Sequence, residues 1–234
     1  MAKEIVLGLD TALQTCAASL LVGETLVAHK VLPMEKGHAE HIAPLADALF
    51  REAEIGPQDL TRIGVVVGPG GFTGLRVGLA FARALALGAA ADVVGVTSLE
   101  ALYYGAARRA ARPVAIAPVI DARRDQLFGA FYGADGAERT PPFVSSPKEA
   151  MEILRHGACS EDVYVVGSGG ALLPTLPENW RIDGESTQID PADVARIALR
   201  APLPTAPPRP LYLRPPDARP PAATSVFKGL LTSD

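Results

Sequence analysis

The sequence predicts an α/β protein built from two related units, each a mixed sheet flanked by helices. Short apolar runs such as "IGVVVG" (63–68) and "DVVGV" (92–96) alternate with longer amphipathic ones, as parallel strands linked by helices require. Strand–turn–strand pairs occur twice, "EIVLGLD" with "TCAASLLV" and "VAIAPVID" with "QLFGAFYG", and each first strand ends on an aspartate, Asp10 or Asp121. A third strand and then helices follow each pair. The chain of 234 residues, 48% hydrophobic and 21% charged, is long enough to bury a core for both units.

In order, "TLVAHKVLP" makes a third strand after the polar pair "GE". "IAPLADALFREAE" makes a helix with Ile42, Leu45, Leu49 and Ala53 on one face and Asp47, Arg51, Glu52 and Glu54 on the other. The strand "IGVVVG" leads through "GPGGFTG" into a helix ending near Gly88, and "DVVGV" and the helix "SLEALYYGAARRA" follow. Beyond the second strand pair come a strand near "PPFVS", the helix "PKEAMEILRHG", the strand "VYVVG" and the helix "PADVARIALR". These define units at 1–111 and 112–201, joined near Arg112 and Pro113. Residues 202–234 form a proline-rich segment, extended because proline removes backbone donors, with "LYL" docked.

A net charge of −4 argues against autonomous nucleic-acid binding, which needs a basic surface. "MAKEIVLGLD" begins directly as a strand, so no export signal is expected. Arg76 and Arg83 interrupt the longest apolar run, which argues against a membrane span. Cys16 and Cys159 have no metal-ligand spacing and suit a reducing compartment.

"GPGGFTGLR" lacks the lysine and hydroxyl of a phosphate-binding P-loop, and its glycines miss the dinucleotide spacing. They are read as a sharp strand-to-helix turn. The helix behind it is apolar nearly all round, and Gly74, Gly78, Ala82 and Ala86 form a smooth ridge every four residues. Such a ridge admits close approach of a partner helix or burial inside the chain's own unit. His38 and His41 in "GHAEH" precede Pro44 closely and are read as residues of an irregular helix entry rather than metal ligands. Asp10, Asp121 and Asp125 serve equally as acid/base groups or as turn caps.

Together "GLDTALQTCAASL", "GHAEHIAPLADALF", "VVVGPGGFTGLRVGLAFARALALG", "GVTSLEAL" and "PLYLR" resemble the TsaB (YeaZ) family, strongly over the first hundred residues and by layout thereafter. The resemblance implies two actin-like domains. It also implies a cytoplasmic, non-catalytic accessory protein for threonylcarbamoyladenosine in tRNA, which binds its catalytic paralogue TsaD, works with the ATPase TsaE, and touches tRNA only through the complex. No cofactor and no membrane are implied, and self-pairing of the free protein is left open. The implied contact lies on the two helices of the first unit, through Leu45, Leu49, Leu75, Arg76, Gly78, Leu79, Ala82 and Arg83. On this reading Gly78→Arg leaves the fold intact and abolishes binding.

The resemblance further places Ser98 and Leu102 of "TSLEAL" where TsaD carries metal-binding histidines, leaving only Glu100. The turns "DTALQT" and "DARRDQ" lack the glycines with which actin-like ATPases approach phosphates, whereas Gly167, Gly169 and Gly170 of "VVGSGGAL" resemble the turn against adenine in that fold. Weak nucleotide contact is expected there. The rival expectation is an enzyme, either a metallopeptidase or a small phosphotransferase.

Overall fold

The computed structural model describes residues 3–184 and 187–214. The first sheet holds β1 (Ile5–Asp10), β2 (Thr15–Val22), β3 (Thr25–Pro33), β4 (Arg62–Gly68) and β5 (Asp92–Thr97), in the order β3-β2-β1-β4-β5. β1, β2 and β3 form antiparallel hairpins, while β4 and β5 extend the sheet parallel to β1. Parallel neighbours need crossovers, and α1 (His38–Ala53) and α2 (Phe72–Ala89) supply them.

The second sheet repeats this wiring with β6 (Ala115–Arg123), β7 (Gln126–Tyr132), β8 (Glu138–Ser145), β9 (Val163–Val166) and β10 (Trp180–Ile182), in the order β10-β9-β6-β7-β8. The expected duplication is therefore present, with β10 as a strand that the sequence reading does not contain. Two further helices, α3 (Ser98–Arg109) and α4 (Pro147–Ala158), cover the two faces of this sheet, and α3 also touches β4 and β5.

The last helix, α5 (Pro191–Arg200), departs from the expected division at 112–201 because it packs on the first sheet, against β1, β2 and β4. Small side chains explain the choice. Ala195 and Ala198 join Val6, Leu21 and Val94 in one apolar layer. A Cβ on Gly64 would lie 2.8 Å from the Val194 carbonyl oxygen and from the Ala198 methyl, so the bare glycine sets the helix-to-sheet distance. On the opposite face Leu7, Leu9, Ile63 and Val65 pack with Leu45, Leu49, Leu79 and Ala82. The central strands are thus covered on both sides, as their continuous apolar character demands.

α1 begins at His38, earlier than the apolar periodicity suggests, and Pro44 lies inside it. Proline removes the hydrogen bond to the Glu40 carbonyl, but both residues face solvent. His38 is buried and its Nε2–H donates to the Thr15 carbonyl at 3.2 Å, whereas the Nδ1–H of His41 donates to the Gly37 carbonyl at 2.9 Å. Both histidines belong to the helix entry.

His29 on β3 donates from Nε2 to Asp190 Oδ1 at 3.0 Å, and Asp190 also caps α5 by accepting the Ala192 N–H. The bond to Asp190 raises the His29 pKa above 6.5, partly opposed by burial. Burial works against ionising Asp190, but the bonds from His29 and Ala192 outweigh it and bring its pKa below 3.8. The raised histidine contributes stability that is complete below about pH 6.5 and disappears as pH rises through its folded value. The lowered aspartate contributes stability that is complete above about pH 3.8 and disappears as pH falls through its folded value. Both groups are more than a third exposed, so screening holds the pair to roughly 0.2–1 kcal/mol. The melting-temperature gap between wild type and His29→Gln is expected to be widest between about pH 4 and 6.5 and to narrow on either side. A gap that keeps widening above pH 8 would contradict this pairing.

Candidate functional site

The glycine-rich turn after β4 is the seat of the β1–β2 turn. Gly71 N–H donates to the Ala12 carbonyl at 2.7 Å, and Thr11 Oγ1 donates to the Gly74 carbonyl at 2.8 Å. A Cβ on Gly70 would strike the Ala12 carbonyl, one on Gly74 the Thr11 carbonyl, and one on Gly78 the Thr11 hydroxyl. The Gly74, Gly78, Ala82, Ala86 ridge therefore faces the chain's own sheet and turn. Leu45, Leu49, Leu75 and Leu79 are buried with it, which corrects the expectation that these six positions (the four leucines with Gly78 and Ala82) meet a partner directly. Of the eight, Arg76 and Arg83 lie on the solvent side.

Apart from those two arginines, the solvent side of α2 is largely apolar. Ala80, Ala84 and Gly88 are exposed, Val77, Phe81 and Leu85 are half-buried, and Leu87 is 87% exposed. The neighbouring α1 adds Ala39, Ala43 and Pro44 to the exposed surface. Leu87 stands almost wholly in water, beside exposed alanines on a packed helix pair. The sequence reading sees that α2 is apolar nearly all round but places the partner contact on the ridge, one helical face away from these residues. By length and composition α2 would also suffice to span a bilayer, contrary to the expectation drawn from Arg76 and Arg83; in this fold its glycine side lies on the sheet.

"TSLEAL" has a local explanation. Thr97 Oγ1 accepts the Glu100 N–H at 3.0 Å and Glu100 Oε2 accepts the Thr97 N–H at 3.4 Å, a capping box that opens α3. Ser98 Oγ donates to the Pro69 carbonyl at 2.7 Å and holds the glycine-rich turn, while Leu102 is buried in the core between the sheets. Among the described residues no three His, Cys, Asp or Glu side chains are gathered as a metal ion would need.

Between the sheets lies an open cleft of about 870 Å³, lined among others by Gln14, Lys36, Gly70, Arg123, Ser168 and Arg214. Its floor comes from the two hairpin turns. Gly167, Gly169 and Gly170 lie behind it rather than in its lining: Gly169 N–H donates to the Val119 carbonyl at 2.9 Å, and added Cβ atoms would strike Val119 or press on Val165. These glycines let the turn pack closely on its own sheet. Ser168 is the residue of this turn that reaches the cleft, and its Oγ accepts the Asp121 N–H at 3.2 Å.

Asp10 is fully buried beneath the first turn, accepting from Ala12 N–H at 2.8 Å and Thr15 Oγ1 at 3.0 Å. Burial pushes its pKa up to about 6 despite those two bonds. A raised carboxyl favours the protonated folded state, so its ionisation destabilises the fold progressively as pH rises from 3.8 through about 6, by about 3 kcal/mol in all. Asparagine keeps an acceptor for Ala12 and offers Thr15 a donor. Asp10→Asn is expected to melt above wild type at pH 8 and to lose that advantage at pH 4. Equal loss of melting temperature at both pH values would contradict this.

A family model described as "TsaD: tRNA N6-adenosine threonylcarbamoyltransferase" matches residues 26–195. The chain is 33% identical over 177 residues to the tRNA threonylcarbamoyladenosine biosynthesis protein TsaB of Escherichia coli K12, covering 73% of this chain and 74% of that protein. The chain belongs to the TsaB family. The protein of the same name from Bacillus subtilis is 34% identical over 127 residues, 54% of each chain, so that match spans about half the relative's length. YeaZ from Pseudomonas aeruginosa shares the fold with a TM-score of 0.68 at 23% identity, over 82% of this chain and 88% of that one. The fold is actin-like, as the duplicated sheets and their strand order also indicate.

Proposed function

We propose that the chain is a non-catalytic accessory subunit in the formation of threonylcarbamoyladenosine in tRNA, and that it activates a TsaD subunit by docking on it. The names of the TsaB relatives support the process. The apolar outer face of α1 and α2, with Leu87 87% exposed, carries the docking reading. Similarity to the TsaD model over residues 26–195 supports a partner of the same fold, able to offer an equivalent helix pair. Free of that partner, the same face pairs two copies of the chain.

Catalysis is assigned to the partner. The positions equivalent to its metal-binding histidines are Ser98, spent on the Pro69 carbonyl, and Leu102, spent on the core. TsaE joins the assembled pair, and tRNA is met only by the complex, in the cytoplasm. Size-exclusion chromatography of the chain mixed with TsaD tests docking. The expected result is a species of one chain each that replaces any self-pair; two separate peaks at micromolar concentrations would contradict the reading.

A further inference from the structure

The cleft has a clasp across it. The two sheets already share a core through α3, whose Leu99 and Leu102 pack with Val66 and Val96 on one side and Ile116 and Ile120 on the other. That core reaches the cleft, whose lining includes Ala12, Ile120 and Phe128. The segment Pro208–Arg214 runs from the first unit to the second along the cleft; its last four residues line the cavity, and Leu213 packs against the shared core.

Its anchors on the first unit are several. Leu211 N–H donates to the Val67 carbonyl at 2.8 Å, where β4 ends. Tyr212 packs on Phe72 with ring centres 5.1 Å apart, and Arg76 donates from Nε to the Tyr212 hydroxyl at 3.2 Å while lying 3.7 Å over the Phe72 ring. Arg83 donates to the Pro208 carbonyl. On the second unit, Arg214 donates from one guanidinium nitrogen to the Ala122 carbonyl at 3.1 Å and to Gln126 Oε1 at 3.2 Å, at the β6–β7 hairpin. Only Leu213 separates the last first-unit anchor, Tyr212, from the second-unit anchor, Arg214, so the link between the units is short.

We propose that Pro208–Arg214 is a clasp that sets the opening of the cleft. Two sheets joined on one side by a packed helix can hinge about that side and open at the other. The described contacts that the segment makes on both units oppose that motion.

Spin labels at Glu40→Cys on α1 and Glu152→Cys on α4, in a Cys159→Ser background, report the separation of the two units; both glutamates are exposed, and the remaining Cys16 is buried. Pulsed dipolar distance measurement on the labelled chain diluted into excess unlabelled chain, so that only distances within one chain are read, is expected to give one narrow distribution. Arg214→Gln, which releases the second-unit anchor, is expected to shift it to longer distances and widen it, with circular dichroism unchanged. Leu211→Pro, which removes the donor to Val67 together with the leucine side chain, is expected to do the same from the other end. Distributions identical to the parent in both folded variants would overturn the clasp. If either variant fails to fold, the other decides by the same two outcomes, and loss of folded structure in both would show that the segment is core and overturn it equally.

Discussion

Leu87→Glu is expected to abolish co-elution with TsaD while leaving the chain folded. Leu87 makes almost no use of its own fold, since 87% of it is exposed near the end of α2. A carboxylate there adds only an unfavourable interaction with the helix C-terminus, about 0.3–1 kcal/mol. In a docked complex the same carboxylate would be desolvated against an apolar helix face with no partner charge. An uncompensated buried charge costs about 3–5 kcal/mol, which weakens binding by more than about a hundredfold. Leu87→Ala removes area without adding charge and is expected to weaken binding only modestly. A folded Leu87→Glu variant that binds TsaD as wild type does would remove this face from the interface.

Gly78→Arg is expected to unfold the chain, the reverse of the sequence expectation. The residue lies between α2 and the β1–β2 turn, and even a methyl group would displace the Thr11 hydroxyl that bonds the Gly74 carbonyl. An arginine adds overpacking and a buried charge, two mechanisms whose sum exceeds about 5 kcal/mol, against a total stability of about 5–15 kcal/mol. Gly78→Ala separates the terms: the added Cβ meets only a side chain, so about 1–3 kcal/mol of destabilisation is expected with the fold retained. Thermal melts followed by circular dichroism check both. A Gly78→Arg chain with a native melting temperature would mean that the ridge faces outward after all.

The error has a physical origin. A stripe of Gly74, Gly78, Ala82 and Ala86 records that something approaches closely but not what, and here it is Thr11, sixty-three positions from Gly74 in sequence. The two-sheet architecture is legible because strands buried on both faces read as unbroken apolar runs, and because the hairpin wiring occurs twice. β10 is not, since the three residues "WRI" carry no period and pair only through β9. The destination of α5 is equally hidden: its alanines suit any sheet with a bare glycine, and Gly8 and Gly64 lie far back in the chain. At "TSLEAL" the resemblance draws the eye to missing histidines, whereas the Thr97–Glu100 capping box is plain from its spacing alone. "PLYLR" is visible as a motif, and the contacts of Leu211, Tyr212 and Arg214 give it a purpose. The rest of the 202–234 segment, from 215 onward, lies outside the described residues.

On the function proposed above, this chain activates a partner's chemistry without performing it. Threonylcarbamoyl transfer to tRNA, measured with purified TsaD and TsaE in the presence and absence of the chain, tests it most directly. Transfer is expected only when the chain is added, to saturate at one chain per TsaD, and to be lost with Leu87→Glu. Equal transfer without the chain, or transfer by the chain with no TsaD present, would contradict the account.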